Sequence, residues 1–360
     1  HFLLTFEIMP GSHYCTEPNG YLEPKIGESG AAAWPATTVP KLFANTVAKF
    51  PERPALGLKR RAKPEDDLPS DFKIWTWTEY YADCTRFAKS LIAMKIPMFH
   101  IVNILGFNSP EWIIANNGAQ LAGCIAAGIY ATNTADASQY ITEHSKAEVV
   151  ILEDEKQLLK YKDSSSRCKT LQAIVTYAEK VSASLVEEFA KENIKVYHWD
   201  DFLTIGDDIP TTDVEERSNS VKPGHCSTLI YTSGTTGPPK AVMISHDNVT
   251  WTTRNMVQHY GPFNHEDRVI SFLPLSHIAA QIIDIHIGLT IGCCTYFCQP
   301  DALKGTLTIT MREVRPTLVF AVPRVWEKIQ EKMVQVGRSV TGLKKTISTW
   351  AKGCGTAKNQ

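Results

Sequence analysis

The chain has 360 residues, 43% of them hydrophobic and 21% charged, a composition typical of a globular protein with a sizeable core. Its 37 basic and 38 acidic residues leave a formal net charge of -1, so no global field draws it to nucleic acid, and we expect no nucleic-acid partner. The nine cysteines are an odd number without framework spacing, which favours a reducing compartment over a disulfide scaffold.

The N-terminal part of the chain changes character near residue 40. Residues 1–40 are rich in Gly, Pro and Ala and are expected to be irregular, and a short helix is predicted at 42–50. Residues 75–77 are typical of a strand end. Thr78 is expected to cap a helix that runs from Glu79 to about Met94.

Apolar strands then alternate with helices. Ser109 supplies a helix cap followed by a first-turn proline, and Thr134 begins another helix. The predicted strands are 101–105, 125–131, 149–152 and 174–177, and the predicted helices are 112–121 and 134–144. Continuous apolar strands separated by helices indicate an α/β fold of mostly parallel sheets covered by helices.

The second half of the chain repeats this alternation after a polar connection at 206–220. The predicted strands are 227–231, 241–244, 269–273, 295–297 and 318–322, and the predicted helices are 246–257, 279–289, 303–314 and 325–334. The most apolar stretch, 278–297, contains Asp284, His286 and an interior Gly288, so we predict a core helix and strand there and no membrane span.

One loop carries a strong chemical signal. Residues 231–240 have the sequence Tyr-Thr-Ser-Gly-Thr-Thr-Gly-Pro-Pro-Lys between two predicted strands. The glycines permit close backbone approach, the hydroxyls are donors and Lys240 is a cation, so the loop suits phosphate oxygens. It is not a Walker A loop, because Pro239 precedes the lysine and Ala241 follows it. A plain flexible hairpin is the alternative.

This loop resembles the signature phosphate loop of the adenylate-forming superfamily, which includes acyl-CoA synthetases and luciferases; Ala241 stands where a glycine is usual. Four further segments are most similar to the bubblegum-type long-chain fatty acid–CoA ligases: Met243–Asn248, Leu273–His277, Gln299–Gly305 and Val322–Ile329. The resemblance implies an adenylate-forming N-terminal domain at 41–360, truncated, with the small C-terminal domain absent; residues 1–40 form the irregular N-terminal segment that precedes it. No Tyr-Gly-x-Thr-Glu motif occurs in the chain.

The resemblance also implies an activity and a site. A fatty acid would react with ATP to give acyl-AMP, and coenzyme A would then take the acyl group, with Mg²⁺ as cofactor. Lys240 and Thr232 would be catalytic, and His277 would line the acyl path. The β- and γ-phosphates would be held by Thr232, Ser233, Gly234, Thr235, Thr236, Gly237, Pro238, Pro239 and Lys240. We expect no protein metal ligands.

Two alternatives to this function stay open at this stage. One is a different acyl substrate, such as a medium-chain, aryl or amino acid. The other is a truncated, noncatalytic isoform that binds nucleotide or partners, and for the 360-residue chain alone we expect no acyl-CoA synthesis. The expected location is cytoplasmic, with the acyl product drawing the protein to the endoplasmic reticulum or other intracellular membranes.

Three other constellations favour structural roles. The cysteines at 293, 294 and 298 lie around a predicted buried strand, where Cys acts as a small apolar residue, not as a metal ligand. His225 and Cys226 are adjacent, so their side chains point to opposite faces of a strand and do not form a catalytic pair. His265, Glu266 and Asp267 form a polar turn in preference to a metal site. For His277 itself, the alternative to the acyl path is a core histidine.

Overall fold

The structure is a computed structural model that describes residues 15–61, 66–232, 237–338 and 341–358. The chain divides into two compact units, one ending at Leu318 and the other beginning at Val319. The first unit contains all the strands found among the described residues, and the second consists of two helices.

The described residues form eleven strands. They are β1 (Pro54–Leu58), β2 (Lys73–Thr76), β3 (Ile101–Leu105), β4 (Ile125–Ile129), β5 (Val149–Leu152), β6 (Ala173–Thr176), β7 (Lys195–His198), β8 (Cys226–Thr232), β9 (Lys240–Ser245), β10 (Arg268–Ser271) and β11 (Cys294–Phe297).

A seven-stranded sheet has the order β7-β6-β5-β3-β4-β8-β9 and is parallel except for the β8–β9 pair. Strands β3, β4 and β5 are buried at every position, as their continuous apolar sequences require when both faces of a sheet are covered. A second sheet of four strands has the order β10-β11-β1-β2, with only β2 antiparallel to its neighbour. The predicted α/β class with mostly parallel sheets is confirmed.

The described residues also form fourteen α-helices. They are α1 (Val39–Lys49), α2 (Trp77–Ala93), α3 (Pro110–Leu121), α4 (Ala135–Ser145), α5 (Glu155–Leu158), α6 (Ala183–Lys191), α7 (Trp199–Thr204), α8 (Thr211–Ser220), α9 (His246–Tyr260), α10 (Ile278–Gln281), α11 (Ile287–Ile291), α12 (Leu307–Val314), α13 (Pro323–Arg338) and α14 (Leu343–Lys358).

Helix caps account for several of these boundaries. The hydroxyls of Ser109, Thr134 and Ser245 accept main-chain N–H groups at the starts of α3, α4 and α9, and the cap at Ser109 was predicted. The cap predicted at Thr78 is wrong. Thr76 caps α2 in a reciprocal capping box with Glu79, and Thr78 lies inside the helix.

Some predicted elements differ from the structure. The connection predicted at 206–220 contains helix α8, and the strand predicted at 318–322 is reduced to a single bridge between Leu318 and Val269. The helix predicted at 279–289 is divided by a π-helical turn, Ile282–His286, between α10 and α11. None of the helices among the described residues combines the length and apolar character that crossing a bilayer needs.

Candidate phosphate-binding site

Strands β8 and β9 bring the two ends of the Gly/Ser/Thr loop together. In this antiparallel pair, Thr232 is the partner of Lys240, and Tyr231 is the partner of Ala241. Thr232 and Lys240 form the last ladder pair before the loop, and both side chains are exposed. A hydroxyl and an ammonium group therefore lie side by side at the rim of the loop, because directly opposed residues of such a pair are neighbours.

The loop itself is described only in part. Ser233, Gly234, Thr235 and Thr236 lie outside the described residues. Gly237 has a φ of +86°, a left-handed conformation that suits glycine, and nothing lies within 4 Å of the position that a Cβ would take. Pro238 is exposed, and the carbonyl of Pro239 accepts a hydrogen bond of 3.2 Å from the hydroxyl of Tyr140 on α4. The C-terminal arm of the loop is thus open on one side and anchored on the other.

Hydrogen bonds join the end of β8 to α4 next to the loop. The hydroxyl of Tyr231 is 2.9 Å from Nδ1 of His144 and donates to the carbonyl of Ile141 at 3.4 Å. Burial raises the pKa of Tyr231, so the hydroxyl stays neutral and acts as a structural hydrogen-bonding group. These bonds fix the end of β8, and with it the position of Thr232.

The Leu273–His277 segment crosses the same region of the large sheet. A Cβ added to Gly128 of β4 would lie 2.8 Å from Cα of Ser276, so the main chains pack directly against each other there. Gly128 is in turn the β4 partner of Ile230, two residues before Thr232 in β8. The predicted acyl-path segment and the phosphate loop therefore converge at the carboxyl ends of β4 and β8.

His277 is exposed and caps α10, so the core-histidine alternative is wrong. Its Nδ1 accepts a hydrogen bond of 3.1 Å from the main-chain N–H of Ala279. With Nδ1 used as an acceptor, the proton of the neutral ring lies on Nε2. The helix cap thus fixes both the orientation of the ring and its tautomer.

Strand order places this convergence where α/β proteins bind ligands. After β4 the chain continues to β5, which lies towards the β7 edge of the sheet, whereas after β8 it continues to β9, which forms the opposite edge. The connections leaving these two adjacent strands therefore diverge, which is the arrangement at which open α/β sheets bind ligands.

A buried polar network, which the sequence analysis missed, holds the Leu273–His277 segment. Nδ2 of Asn108, just after β3, donates to Ser271 Oγ at 2.8 Å and to the carbonyl of Leu273 at 2.7 Å. Its Oδ1 accepts the N–H of Leu275 at 3.2 Å. Ser271 in turn donates to Asp284 Oδ2 at 2.7 Å, and burial raises the pKa of Asp284 to about 8. The only sequence signal was an asparagine that follows a buried strand.

The minor candidates have structural roles. Cys293, Cys294 and Cys298 are buried free thiols, and no group of three His, Cys, Asp or Glu side chains in the described ranges could hold a metal ion. The pKa of Cys226 is raised to about 12 by burial, and the thiol bonds to the carbonyl of Thr228, so it is a poor nucleophile. His265 stacks on Phe50 with ring centroids 4.9 Å apart.

Comparison with known families adds an independent observation. Residues 43–356 match the family model described as AMP-binding enzyme. The chain belongs to the AMP-binding enzyme family. The resemblance carried by the 231–240 loop is therefore confirmed over most of the chain.

Several relatives are named as long-chain-fatty-acid–CoA ligases, ACSBG2 and ACSBG1. ACSBG2 of Xenopus laevis is 42% identical over 338 residues, which are 93% of this chain and 44% of the relative. ACSBG2 of Homo sapiens is 41% identical over 93% of this chain and 48% of its own length, and human ACSBG1 is 37% identical over 87% and 42%. The chain spans about half the length of the curated relatives it matches.

Solved structures of adenylation domains share the fold. The adenylation domain of a carboxylate reductase from Mycobacterium chelonae has a TM-score of 0.72 and 22% identity, covering 87% of this chain and 50% of that one. The adenylation and carrier didomain of a carboxylic acid reductase from Segniliparus rugosus, solved with AMP, has a TM-score of 0.69 and 19% identity, covering 88% and 47%. The adenylate-forming fold expected from the sequence is confirmed.

Proposed function

We propose that this chain forms the phosphate-binding part of a long-chain fatty acid–CoA ligase. In the proposed reaction, a fatty carboxylate oxygen attacks the α-phosphorus of ATP, which forms acyl-AMP and releases pyrophosphate. The thiol of coenzyme A then attacks the acyl carbonyl, which forms the thioester and releases AMP. The pairing of Thr232 with Lys240 at the rim of a Gly/Ser/Thr loop is the observation that carries the proposal.

The residues at the rim suit an anionic phosphate chain. The Lys240 ammonium would neutralise charge on the β- and γ-phosphates, and the Thr232 hydroxyl would donate to a neighbouring oxygen. The empty space beside Gly237 leaves room for an oxygen where a side chain would otherwise lie. Ser233, Gly234, Thr235, Thr236, Pro238 and Pro239 are proposed to complete the cradle. These residues would position the leaving pyrophosphate as its charge grows.

We assign His277 to the path of the acyl group. Its Nδ1 is used by the cap of α10, so Nε2–H is the donor that we propose faces the carboxylate or the thioester carbonyl. The adjacent Ser276 packs on Gly128, which keeps the ring at the carboxyl end of β4. His277 would thus orient the substrate near the phosphate loop.

Magnesium is proposed to enter with ATP. The described residues present no cluster of three side chains that could hold a metal ion, so no protein ligand is assigned to Mg²⁺. When bound to ATP, Mg²⁺ would offset negative charge on the phosphate oxygens. Lys240 would contribute in the same direction without it.

The ligase names of the relatives support this function over a noncatalytic product, and over aryl or amino acid substrates. Because both the fatty acid and the acyl-CoA product are lipids, we also propose a cytoplasmic protein with peripheral attachment to intracellular membranes such as the endoplasmic reticulum. This attachment is independent of any membrane span.

A chimera tests the function directly. This chain would replace the matching part of Xenopus ACSBG2, and palmitate-dependent exchange between ATP and labelled pyrophosphate would be measured, with benzoate and phenylalanine as alternative acids. We expect exchange with palmitate and little with the others. A folded chimera that prefers benzoate or phenylalanine, or that shows no exchange while the parent enzyme does, would contradict the proposal.

A further inference from the structure

Charge is distributed unevenly between the two compact units. Residues 319–360 contain eight Lys or Arg and two Asp or Glu, a formal charge of +6. Because the whole chain carries -1, residues 1–318 carry -7. The near-neutral total therefore hides a short, strongly basic segment within an acidic protein, and such a segment is attracted to anionic surfaces.

Helix α14 in this basic segment is amphipathic. Leu343, Ile347, Trp350 and Cys354 follow the i, i+4, i+7, i+11 spacing that places side chains on one face of a helix. Leu343 is 77% exposed and Trp350 is 69% exposed, so this face presents large apolar groups to solvent. Sixteen residues at 1.5 Å each give a helix about 24 Å long, enough for an extended contact.

The charged residues of α14 are all lysines. Lys344, Lys345 and Lys352 are exposed, and the helix contains no Asp or Glu. Long lysine side chains can keep their ammonium groups in water while their stems lie along an apolar surface.

Helix α13 has the same character. Trp326 and Met333 are exposed, Met333 at 70%. Its two acidic residues, Glu327 and Glu331, lie 2.8 Å and 3.9 Å from Nη1 of Arg324 and are compensated within the helix. Apolar side chains are thus exposed on both helices, and the net charge around them is positive.

We propose that helix α14 is the surface by which this protein binds anionic lipid bilayers, with Leu343, Ile347 and Trp350 in the interface and the lysines on acidic headgroups. The inference rests on the membrane attachment that is part of the proposed function, and it assigns that attachment to α14. An exposed apolar stripe on a helix whose charged residues are all lysines is complementary to a negatively charged bilayer surface. It is not complementary to a second copy of this chain's α14, because the lysines would repel each other.

Vesicle binding tests the proposal without ATP, fatty acid or coenzyme A, so its outcome does not depend on ligase activity. The 360-residue chain is mixed with sucrose-loaded vesicles of phosphatidylcholine, or of phosphatidylcholine with 30 mol% phosphatidylserine, and bound protein is sedimented. We expect at least tenfold stronger partitioning onto the anionic vesicles, and a marked loss when NaCl is raised from 50 to 500 mM.

Two variants with the same change in net charge separate α14 from a general charge effect. Lys344→Gln with Lys345→Gln should weaken anionic binding about thirtyfold, at about 1 kcal/mol per basic residue. Lys41→Gln with Lys195→Gln, on exposed positions of α1 and β7, should leave binding unchanged. Trp350→Ser should weaken binding to both kinds of vesicle, and circular dichroism checks that each variant keeps its helices.

Three results would overturn the proposal. These are equal binding to neutral and anionic vesicles, an equal loss in both lysine pairs, and wild-type binding by the α14 pair. Concentration-dependent dimerisation that Trp350→Ser abolishes, without vesicle binding, would assign the face to a second copy instead. Vesicle binding by a chain whose chimera shows no pyrophosphate exchange would retain this surface and reject the ligase function.

Discussion

The carboxyl group of Asp284 should make the stability of this protein fall between pH 6 and pH 8. Asp284 lies in the buried π-helical turn and accepts a hydrogen bond from Ser271, and burial raises its pKa from the ordinary 3.8 to about 8. Because the folded-state pKa is raised, folding favours the protonated form. The stabilising contribution is therefore complete below pH 3.8 and is lost as pH rises through about 8.

The size of the effect follows from the two pKa values. Each pH unit over which Asp284 is ionised only in the unfolded state lowers the free energy of unfolding by about 1.4 kcal/mol. Relative to its value below pH 3.8, the free energy of unfolding is therefore lower by about 3 kcal/mol at pH 6 and by about 5 kcal/mol at pH 8. The wild-type chain should therefore lose about 2 kcal/mol between these pH values through Asp284 alone. Asp284→Asn keeps an oxygen that can accept from Ser271 and has no ionisation in this range.

Urea unfolding at pH 6 and pH 8 measures this difference. The free energy of unfolding of Asp284→Asn minus that of wild type should rise by about 2 kcal/mol from pH 6 to pH 8. The exposed Asp207→Asn variant is the control, and its difference from wild type should not change with pH. If the Asp284→Asn difference were constant, the carboxyl would be ionised in the folded protein at both pH values, and the argument from burial would fail.

Three further changes have defined outcomes. In the chimera, Lys240→Ala should slow pyrophosphate exchange ten- to a thousandfold, as expected for loss of one charge-stabilising donor, and exchange at the parental rate would remove Lys240 from phosphate binding. Gly128→Ala should lower the free energy of unfolding by about 1–3 kcal/mol, because the added Cβ would lie 2.8 Å from Ser276 Cα and 3.0 Å from the Trp112 ring. An unchanged melting temperature would refute that close packing. Burial lowers the pKa of His286 to about 3, so the neutral ring stabilises the fold above pH 6.5 and this contribution is lost as pH falls. Between pH 6.5 and pH 4, the free energy of unfolding measured in urea should therefore fall by about 3 kcal/mol less for His286→Gln than for wild type. Equal falls would contradict this expectation.

The predictable parts of the fold are those where the local sequence and the final environment agree. Strands 101–105 and 149–152 were predicted at their observed bounds, because continuous apolar runs are buried on both faces of the sheet. The Ser109 cap was equally clear, since a cap and a proline in the first turn mark the start of α3. The local sequence alone is enough to predict such features.

Elements that depend on distant partners were missed. Helix α8 has a largely polar sequence and was predicted as a connection, yet Val214 is buried and Arg217 donates to the carbonyl of Ile96 at 2.8 Å. Helix α8 packs on α2 and α3, which are distant in sequence. Strand β1 was missed because Pro54 and Gly57 weaken its strand signal, which pairing with β2 and β11 overrides.

The candidate site combines both kinds of feature. The order of residues in the 231–240 loop pointed to phosphate binding, and the pairing of Thr232 with Lys240 gives that prediction a geometry. The support of the neighbouring segment comes from Asn108, which bonds to Ser271 across 163 residues of sequence. No periodicity or local spacing records such a contact. Because the same asparagine also holds Leu273 and Leu275, the position of His277 relative to the phosphate loop depends on a residue that carries no motif of its own.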